Sequence, residues 1–171
     1  MNGGIISKSE LNELIKNKEI IITPLNLENI SNASIDLTLG NKFRKYKLHE
    51  NKIHLSNDID YKDYSYEIDV PDGDYIEINP GETLLGYTKE KITLPDNICA
   101  FLEGRSRFAR MGITVHITAP FMNPGISNCQ MLEIFNASPF KLCLYPNLII
   151  CQMIFMYTTS DSKYSGKYKD Q

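Results

Sequence analysis

The sequence predicts an all-β fold, a sandwich or barrel, preceded by one short helix. Short runs of β-branched and other apolar residues recur along the 171-residue chain, and turn signals such as Pro-Gly separate most of them. Many short strands at such spacing are typical of a β-sandwich or barrel. A helical period is found once, near the N-terminus.

A capping motif followed by an apolar stripe predicts the helix. Ser7 and Glu10 have the S-x-x-E spacing of a capping box. Leu11, Leu14 and Ile15 follow at the i, i+3, i+4 spacing of one helix face. We therefore expect a short helix to begin after Ser7.

The strands are predicted from alternation and from apolar runs. In Ala33–Gly40, apolar residues at 35, 37 and 39 alternate with polar ones, and Gly40-Asn41 predicts a turn after this strand. The other predicted strands are Glu19–Thr23, Tyr75–Ile78, Thr83–Thr88, Ile98–Leu102, Ile113–Thr118, Gln130–Phe135, Lys141–Leu144 and Leu148–Tyr157.

Two segments are too polar to be core strands. Lys45–Asp69 has few apolar residues and predicts a surface insertion or a loose hairpin. Thr158–Gln171 is hydrophilic, and we expect this C-terminal segment to be a mobile lid that orders over a ligand. No repeat or linker divides the chain, so residues 1–171 are expected to form a single domain.

Charge and hydropathy argue against several classes of protein. The net charge of −3 and the sequence pI of about 5.6 do not favour a general nucleic-acid binder, which usually carries a positive excess. No run reaches the roughly 18 apolar residues of a membrane-spanning helix, and Met1–Ser9 lacks the features of a signal peptide. The simplest expectation is a cytoplasmic protein without a membrane or nucleic-acid partner.

The cysteines and histidines do not indicate a metal site. The four cysteines lie in apolar stretches without a C-x-x-C pair, and we expect free, buried thiols. None of the three histidines is spaced with them as a metal ligand, so no zinc site is expected.

Three arginines lie close together in Gly104–Arg110, which reads G-R-S-R-F-A-R. If a helical turn begins at Ser106, then Ser106 and Arg110 form an i, i+4 pair on one face. Backbone N–H groups, a hydroxyl and guanidinium groups at such a turn suit phosphate oxygens. On this pattern alone, a solvated basic turn is at least as good an interpretation.

Glu133 is an unusual residue for a strand of this composition. Alternation in Gln130–Phe135 places it on the same face as Met131 and Phe135. A carboxylate on an apolar face is costly unless it is paired or protonated, so Glu133 is a candidate general acid or base. An edge-strand glutamate that points into water fits the pattern equally well.

The segment Ile113–Gly125 contains two further polar candidates. Asn123 precedes a Pro124-Gly125 turn, where Asn is common for conformational reasons alone. His116, within the predicted strand, is more readily interpreted as a core or interface histidine than as a catalytic base.

In this order, the motifs resemble those of the dCTP deaminases, relatives of dUTPase. The strongest match is Gly104–Gly112 with G-R-S-x-x-A-R, followed by Thr118–Gly125 with T-A-x-x-x-x-P-G and by Leu132-Glu133. The other matching segments are Ser34–Gly40, Ile150–Phe155 and Lys167–Gln171, so the resemblance covers most of the chain.

The resemblance implies a distorted β-barrel or β-clip of the dUTPase-like type, assembled as a homotrimer with active sites at the subunit boundaries. It implies hydrolytic deamination of dCTP to dUTP and ammonia, with dUTP or dTTP as further candidate ligands. Mg²⁺ would arrive on the triphosphate. No zinc would be used, in agreement with the lack of H-x-E and P-C-x-x-C motifs.

The resemblance also implies residue roles. Glu133 would take a proton from the attacking water and give it to the leaving amine, while Ser106 and Arg110 would hold phosphate and organise that water. The other implied nucleotide contacts are Arg105, Arg107, Phe108, Ala109, the carbonyl of Ala119, Asn123, the backbone of Met131 and Leu132, and the tail residues Tyr164, Lys167 and Gln171.

Two positions depart from the family pattern and leave the product open. Asn123 stands where the family usually has Asp beside the sugar. Pro120-Phe121 stands where enzymes that stop at dUTP typically have His-Arg, and those that continue to dUMP tend to have Gly-Phe. A bifunctional deaminase–diphosphatase, a dUTPase and a non-catalytic nucleotide-binding trimer are the alternatives. Glu133, together with a tail containing only Gly166 as glycine, favours the deaminase.

Overall fold

A computed structural model describes residues 4–166 of the chain. Within them, strands predominate, and the helices are α1 (Lys8–Lys16), α2 (Ser106–Ala109) and two 3₁₀ turns, Leu27–Asn29 and Tyr61–Tyr64. The strands are β1 (Ile21–Thr23), β2 (Ile35–Tyr46), β3 (Ser65–Asp69), β4 (Ile76–Ile78), β5 (Thr83–Thr93), β6 (Ile98–Gly104), β7 (Ile113–Thr114), β8 (Phe121–Met122), β9 (Ser127–Asn136), β10 (Leu142–Leu144) and β11 (Ile149–Tyr157). The all-β prediction is confirmed.

Most of the strands form one antiparallel sheet. Its main path runs β7-β9-β5-β2-β11-β6-β8, with β1 paired to β5 and β3 paired to β2 beside that path, while β4 and β10 form a separate two-stranded sheet. The long strands β2, β5 and β9 are neighbours, so residues far apart in the sequence share one face of the sheet.

The structure has a β-bulge near Gly40-Asn41, where the sequence predicted a turn, so that prediction is wrong. The chain does not turn there; β2 continues to Tyr46, and its register against β5 shifts between Leu39 and Phe43. A Cβ at Gly40 would lie 3.0 Å from the Tyr87 carbonyl oxygen, so the glycine allows a close backbone approach that a sequence pattern reads as a turn. Two further register shifts, on β5 and β11, add to the bending of the sheet.

The core is built from the main sheet and α1. Leu37, Leu39 and Phe43 of β2 and Phe155 of β11 are fully buried, and so is Leu11 of α1, as the predicted stripe requires. The β2 alternation of the sequence is therefore an alternation between core and solvent.

The start of α1 agrees with the sequence, but the expected capping bond is absent. The helix begins at Lys8 with Ser7 as N-cap, yet the Ser7 side chain makes no capping hydrogen bond. Its Oγ lies 3.0 Å from the Oγ of Ser9 instead.

The polar segment Lys45–Asp69 is a hairpin with a long connection, one of its two predicted forms. The strands β2 and β3 pair up to Tyr46 and Ser65, and the connection ends in the 3₁₀ turn Tyr61–Tyr64. Its base is not loose, because the buried Arg44 donates a hydrogen bond from Nε to the Ser65 Oγ at 2.9 Å and another to the Glu67 carboxylate.

All four cysteines are free, as expected, but they are not all buried. Cys99 and Cys151 are buried, Cys129 is half-buried and Cys143 is exposed on the short strand β10. Burial raises the pKa of the Cys99 thiol. Within residues 4–166, no helix has the length and apolar character to cross a membrane.

Candidate active site

Glu133 lies on strand β9, between β7 and β5, with its side chain on the half-exposed face. Met131 and Phe135 share that face, as alternation predicts, while the opposite face, including Leu132 and Ile134, is buried. The backbone N–H of Ile117 donates a hydrogen bond to Glu133 Oε2 at 2.8 Å, and that of Thr118 lies 3.4 Å from the same oxygen. The carboxylate is therefore neither in the core nor free in water, because backbone donors hold it at the protein surface.

These contacts explain why the predicted strand Ile113–Thr118 is too long. Strand β7 ends at Thr114 because the chain leaves the sheet. The Val115 carbonyl still accepts a hydrogen bond from Glu133 N at 3.0 Å, and the next backbone donors are used by the Glu133 side chain. A side-chain acceptor has replaced a strand partner, which the apolar pattern does not reveal.

A pocket of about 410 Å³ opens beside this carboxylate. Five of the residues implied by the resemblance line it: Ala119, Asn123, Met131, Glu133 and Tyr164. The sequence interpretation missed the remaining lining residues, Tyr61, Phe121, Met122, Ile126, Asn128 and Gln130. Leu132 is fully buried, so only its backbone is available beside this pocket.

Two of the missed residues carry a signal in the sequence. Asn128 and Gln130 lie on the buried face of β9, in line with the core residues Leu132 and Ile134, and are 6% and 4% exposed. The Gln130 side chain donates a hydrogen bond to the Asn128 side chain, and the Gln130 N–H donates to Thr88 Oγ1 at 2.9 Å. Amides at core-facing positions of a strand indicate a polar site, because buried amides need partners.

The described part of the C-terminal segment lies against the same pocket. The backbone N–H of Tyr164 donates to the Pro124 carbonyl at 3.1 Å, and that of Ser162 donates to the Asp96 carbonyl at 2.7 Å. Lys163 Nζ lies 3.8 Å from Asp96 Oδ2. The position of Tyr164 agrees with a covering role, whereas its mobility stays a prediction, and Lys167 and Gln171 lie outside the described residues.

The basic turn forms the predicted helical turn but lies outside this pocket. The Arg110 N–H donates to the Ser106 carbonyl at 3.1 Å across α2, and both residues are exposed, as are Arg107 and Ala109. Phe108 packs partly against the core. None of these residues lines the pocket beside Glu133 in the described part of a single chain.

Arg105 has a different environment from the other two arginines. Its Nη1 forms an ion pair with Asp36 Oδ2 at 3.0 Å, and its side chain is 33% exposed. It is therefore partly neutralised within the chain, whereas Arg107 and Arg110 extend from an exposed turn. The described residues that line the Glu133 pocket include no lysine or arginine.

His116 is half-buried and directly precedes Ile117, whose backbone N–H binds Glu133. Its Nε2 lies 3.5 Å from Glu103 Oε2, and its Nδ1 is buried without a hydrogen-bond partner among residues 4–166. A role at a subunit interface stays a prediction. Across the described chain, no group of three or more His, Cys, Asp or Glu side chains is arranged to hold a metal ion.

Comparison with known proteins gives sequence relatives along nearly the whole chain. A "dCTP deaminase, dUMP-forming" of Methanosphaera stadtmanae is 34% identical over 169 residues, which cover 98% of this chain and 86% of that protein. A "dCTP deaminase" of Actinobacillus pleuropneumoniae is 38% identical over 166 residues, covering 90% of this chain and 85% of that protein.

The fold has a counterpart among solved structures. The crystal structure of 2'-deoxycytidine 5'-triphosphate deaminase from Agrobacterium tumefaciens superposes with a TM-score of 0.71 at 18% identity. The match covers 92% of this chain and 49% of that chain, so this chain corresponds to about half of it. At that identity, the similarity supports the all-β fold alone.

The sequence profile of the dCTP deaminase-like family matches residues 5–158, which include β9, α2 and the residues that line the Glu133 pocket other than Tyr164. The chain belongs to the dCTP deaminase-like family.

Proposed function

We propose that this chain is an enzyme that deaminates dCTP hydrolytically, giving dUTP and ammonia. The observation that carries the proposal is the Glu133 carboxylate, which backbone N–H groups hold at the edge of a pocket of about 410 Å³. Small-molecule sites commonly have volumes of about 300–1,000 Å³, so a pyrimidine nucleoside is of suitable size. The names of the sequence relatives support deamination of dCTP.

In the proposed mechanism, Glu133 acts as general base and then as general acid. A water molecule positioned near the Ala119 carbonyl attacks C4 of cytosine, and Glu133 accepts its proton. Glu133 returns that proton to the amino group, the C4–N bond breaks and ammonia leaves. The second proton of the water passes from the new C4 hydroxyl to ring N3 as the C4 carbonyl forms. Such proton transfer contributes about 10²- to 10⁴-fold to the rate, and positioning of the water contributes much of the remainder.

The triphosphate requires positive charge that the described pocket lining of one chain does not contain. We propose that Ser106 and Arg110 on α2 of a second copy supply it, in a homotrimer whose sites lie between subunits. Exposed apolar side chains flank both parts, since Met111 follows α2 and Ile117 and Phe121 border the pocket. These side chains would be buried by such an assembly.

Magnesium enters this proposal as part of the substrate, bound to the triphosphate. The proton transfers above are assigned to Glu133, and the proposal uses no zinc. Asn123, which lines the pocket, is proposed to hydrogen-bond the sugar through its amide.

A second candidate is a bifunctional enzyme that continues to dUMP. The relative from Methanosphaera stadtmanae is named as dUMP-forming, and Phe121 lines the pocket next to Pro120, which departs from the His-Arg typical of enzymes that stop at dUTP. Cleavage of the triphosphate would release diphosphate in addition to ammonia.

Incubation with dCTP and Mg²⁺ tests these alternatives directly. Separation of dCTP, dUTP and dUMP, with an ammonia assay on the same samples, should show dUTP and ammonia in equal amounts. Accumulation of dUMP with diphosphate would select the bifunctional reaction. Unchanged dCTP together with intact nucleotide binding would overturn the enzymatic proposal.

A further inference from the structure

Tyr61 reaches the Glu133 pocket from a part of the chain that the family motifs do not include. It opens the 3₁₀ turn at the end of the polar hairpin connection, 72 positions before Glu133 in the sequence (133 − 61), and it lines the same pocket. Its ring is half-buried. Neither the hydrogen bonds of Glu133 nor the proposed proton transfers make use of it.

The strand register places Tyr61 next to the part of β9 expected to flank the base. Met131 of β9 pairs directly with Tyr87 of β5, so their side chains are on the same face of the sheet. Burial raises the pKa of Tyr87, and a hydrogen bond between the Tyr87 and Tyr61 side chains raises it further. Tyr61 is therefore adjacent to Tyr87, the strand partner of Met131, and forms part of the pocket wall together with Met131.

This wall is held in place before any ligand binds. The Ser65 hydroxyl donates to the Tyr61 carbonyl at 2.7 Å, and the Asp60 carboxylate caps the turn by accepting from Lys62 N at 3.0 Å. The guanidinium of Arg44, which is 7% exposed, lies over the Tyr61 ring at 5.7 Å from its centroid. A ring fixed in this way loses little conformational entropy when a ligand packs against it.

We infer that Tyr61 is a substrate-binding residue whose ring packs against the pyrimidine base of the nucleotide. Every base has an aromatic face that can stack on a tyrosine ring. The contribution is expected in affinity, because a stacking wall binds the ground state and the transition state alike. The inference rests on the proposed function for the identity of the nucleotide, but it concerns binding and not the chemical step.

The test compares Tyr61→Ala with Tyr61→Phe and with Tyr66→Ala. Phenylalanine keeps the ring and removes only the hydroxyl. Tyr66 lies on β3, is 47% exposed and does not line the pocket, so it is a matched control from the same hairpin. Binding of dCTP is measured by calorimetry on the full chain, and steady-state deamination is measured in parallel.

We expect Tyr61→Ala to raise both Kd and KM for dCTP at least about tenfold, which corresponds to about 1.4 kcal/mol of binding free energy. The kcat of this variant should stay within about threefold of wild type. Tyr61→Phe should lose no more than about threefold in Kd, because the ring is retained. Inorganic tripolyphosphate, which has no base, should bind equally to wild-type and Tyr61→Ala chains. Tyr66→Ala should resemble wild type throughout.

Equal dCTP affinity of wild type and Tyr61→Ala would overturn the inference, and so would an equal loss for Tyr61→Phe and Tyr61→Ala. An equal loss for tripolyphosphate would also overturn it, since that result would indicate a damaged pocket. If wild type binds dCTP without deaminating it, the proposed function fails, while the binding comparison still decides the role of Tyr61.

Discussion

The Glu133 pocket and the basic turn at α2 are opposites in construction. The pocket is lined by side chains from 61, from 119–133 and from 164, so it exists only when distant segments meet, and its described lining has no lysine or arginine. The turn is a local structure of consecutive residues, with exposed Arg107 and Arg110. The pocket is suited to orient a base and to activate a water molecule, and the turn is suited to neutralise phosphate. A nucleotide triphosphate needs both kinds of site, which a single chain keeps separate.

The largest effect is expected from a substitution in the Glu133 pocket. Glu133→Gln should lower kcat for dCTP deamination by about 10³-fold, because glutamine keeps the shape but cannot accept the proton of water. Ammonia release under saturating dCTP measures the loss, and calorimetry should show a Kd within about threefold of wild type. Residual turnover above a tenth of the wild-type rate would remove Glu133 from this role.

The separation of the two halves is tested by complementation. Arg110→Ala and Glu133→Gln chains should each be nearly inactive as homo-oligomers. Mixed trimers isolated through two different tags after co-expression should regain about a third of wild-type activity, because one of the three subunit boundaries in each mixed trimer combines an intact Glu133 with an intact Arg110. Mixed assemblies as inactive as the single variants would mean that both residues serve one site from the same chain.

The covering segment should have an intermediate effect. Tyr164→Ala removes a ring that lines the pocket but leaves its backbone bond to Pro124, so we expect kcat/KM for dCTP to fall about tenfold, roughly 1.4 kcal/mol. Steady-state kinetics measures this change. Lys163→Ala is the control, because its ammonium group contacts Asp96 at 3.8 Å outside the pocket lining. An equal loss in both variants would indicate a general loosening of the segment.

The smallest effect concerns the charge of Glu133 itself. Burial raises the pKa of Tyr46, and the negative charge of Glu133 raises it further. Glu133→Gln should therefore lower the Tyr46 pKa, although burial keeps it above the ordinary value of about 10. Tyrosine ring carbon-13 NMR titration, with Tyr46→Phe to assign the resonance, measures the change. An unchanged Tyr46 pKa would mean that the two side chains are not close enough to interact.

Much of the Glu133 site could be predicted from the sequence because it depends on local rules. The period of two along β9 placed Glu133 with Met131 and Phe135. The helical turn at Ser106, which the sequence pattern left open, is formed by α2. The predictions that failed concern contacts between segments that are far apart in the sequence. The strand predicted to reach Thr118 stops at Thr114, because the Glu133 side chain takes backbone donors that a neighbouring strand would otherwise use.

Gly40 and Tyr61 show most clearly what could not be predicted from the sequence. A Gly-Asn pair is a good turn signal, yet here the glycine lies at a bulge where a Cβ would be 3.0 Å from the Tyr87 carbonyl oxygen of β5, and no local pattern distinguishes the two cases. Tyr61 lies in a segment whose polarity predicted only a surface hairpin. Its place in the pocket depends on Arg44, Ser65 and Tyr87, which come from three different strands.

The sequence by itself determined the all-β class, the N-terminal helix and the face of β9 that carries Glu133, since each follows from side-chain periodicity and capping over a few residues. The tertiary structure alone decided which segments meet. It brought Tyr61 and Tyr164 to the same pocket as Glu133 and left the cations of α2 outside it. The physical reason is that strand register and bulges fix distances between segments far apart in the chain, and these depend on the packing of the whole sheet.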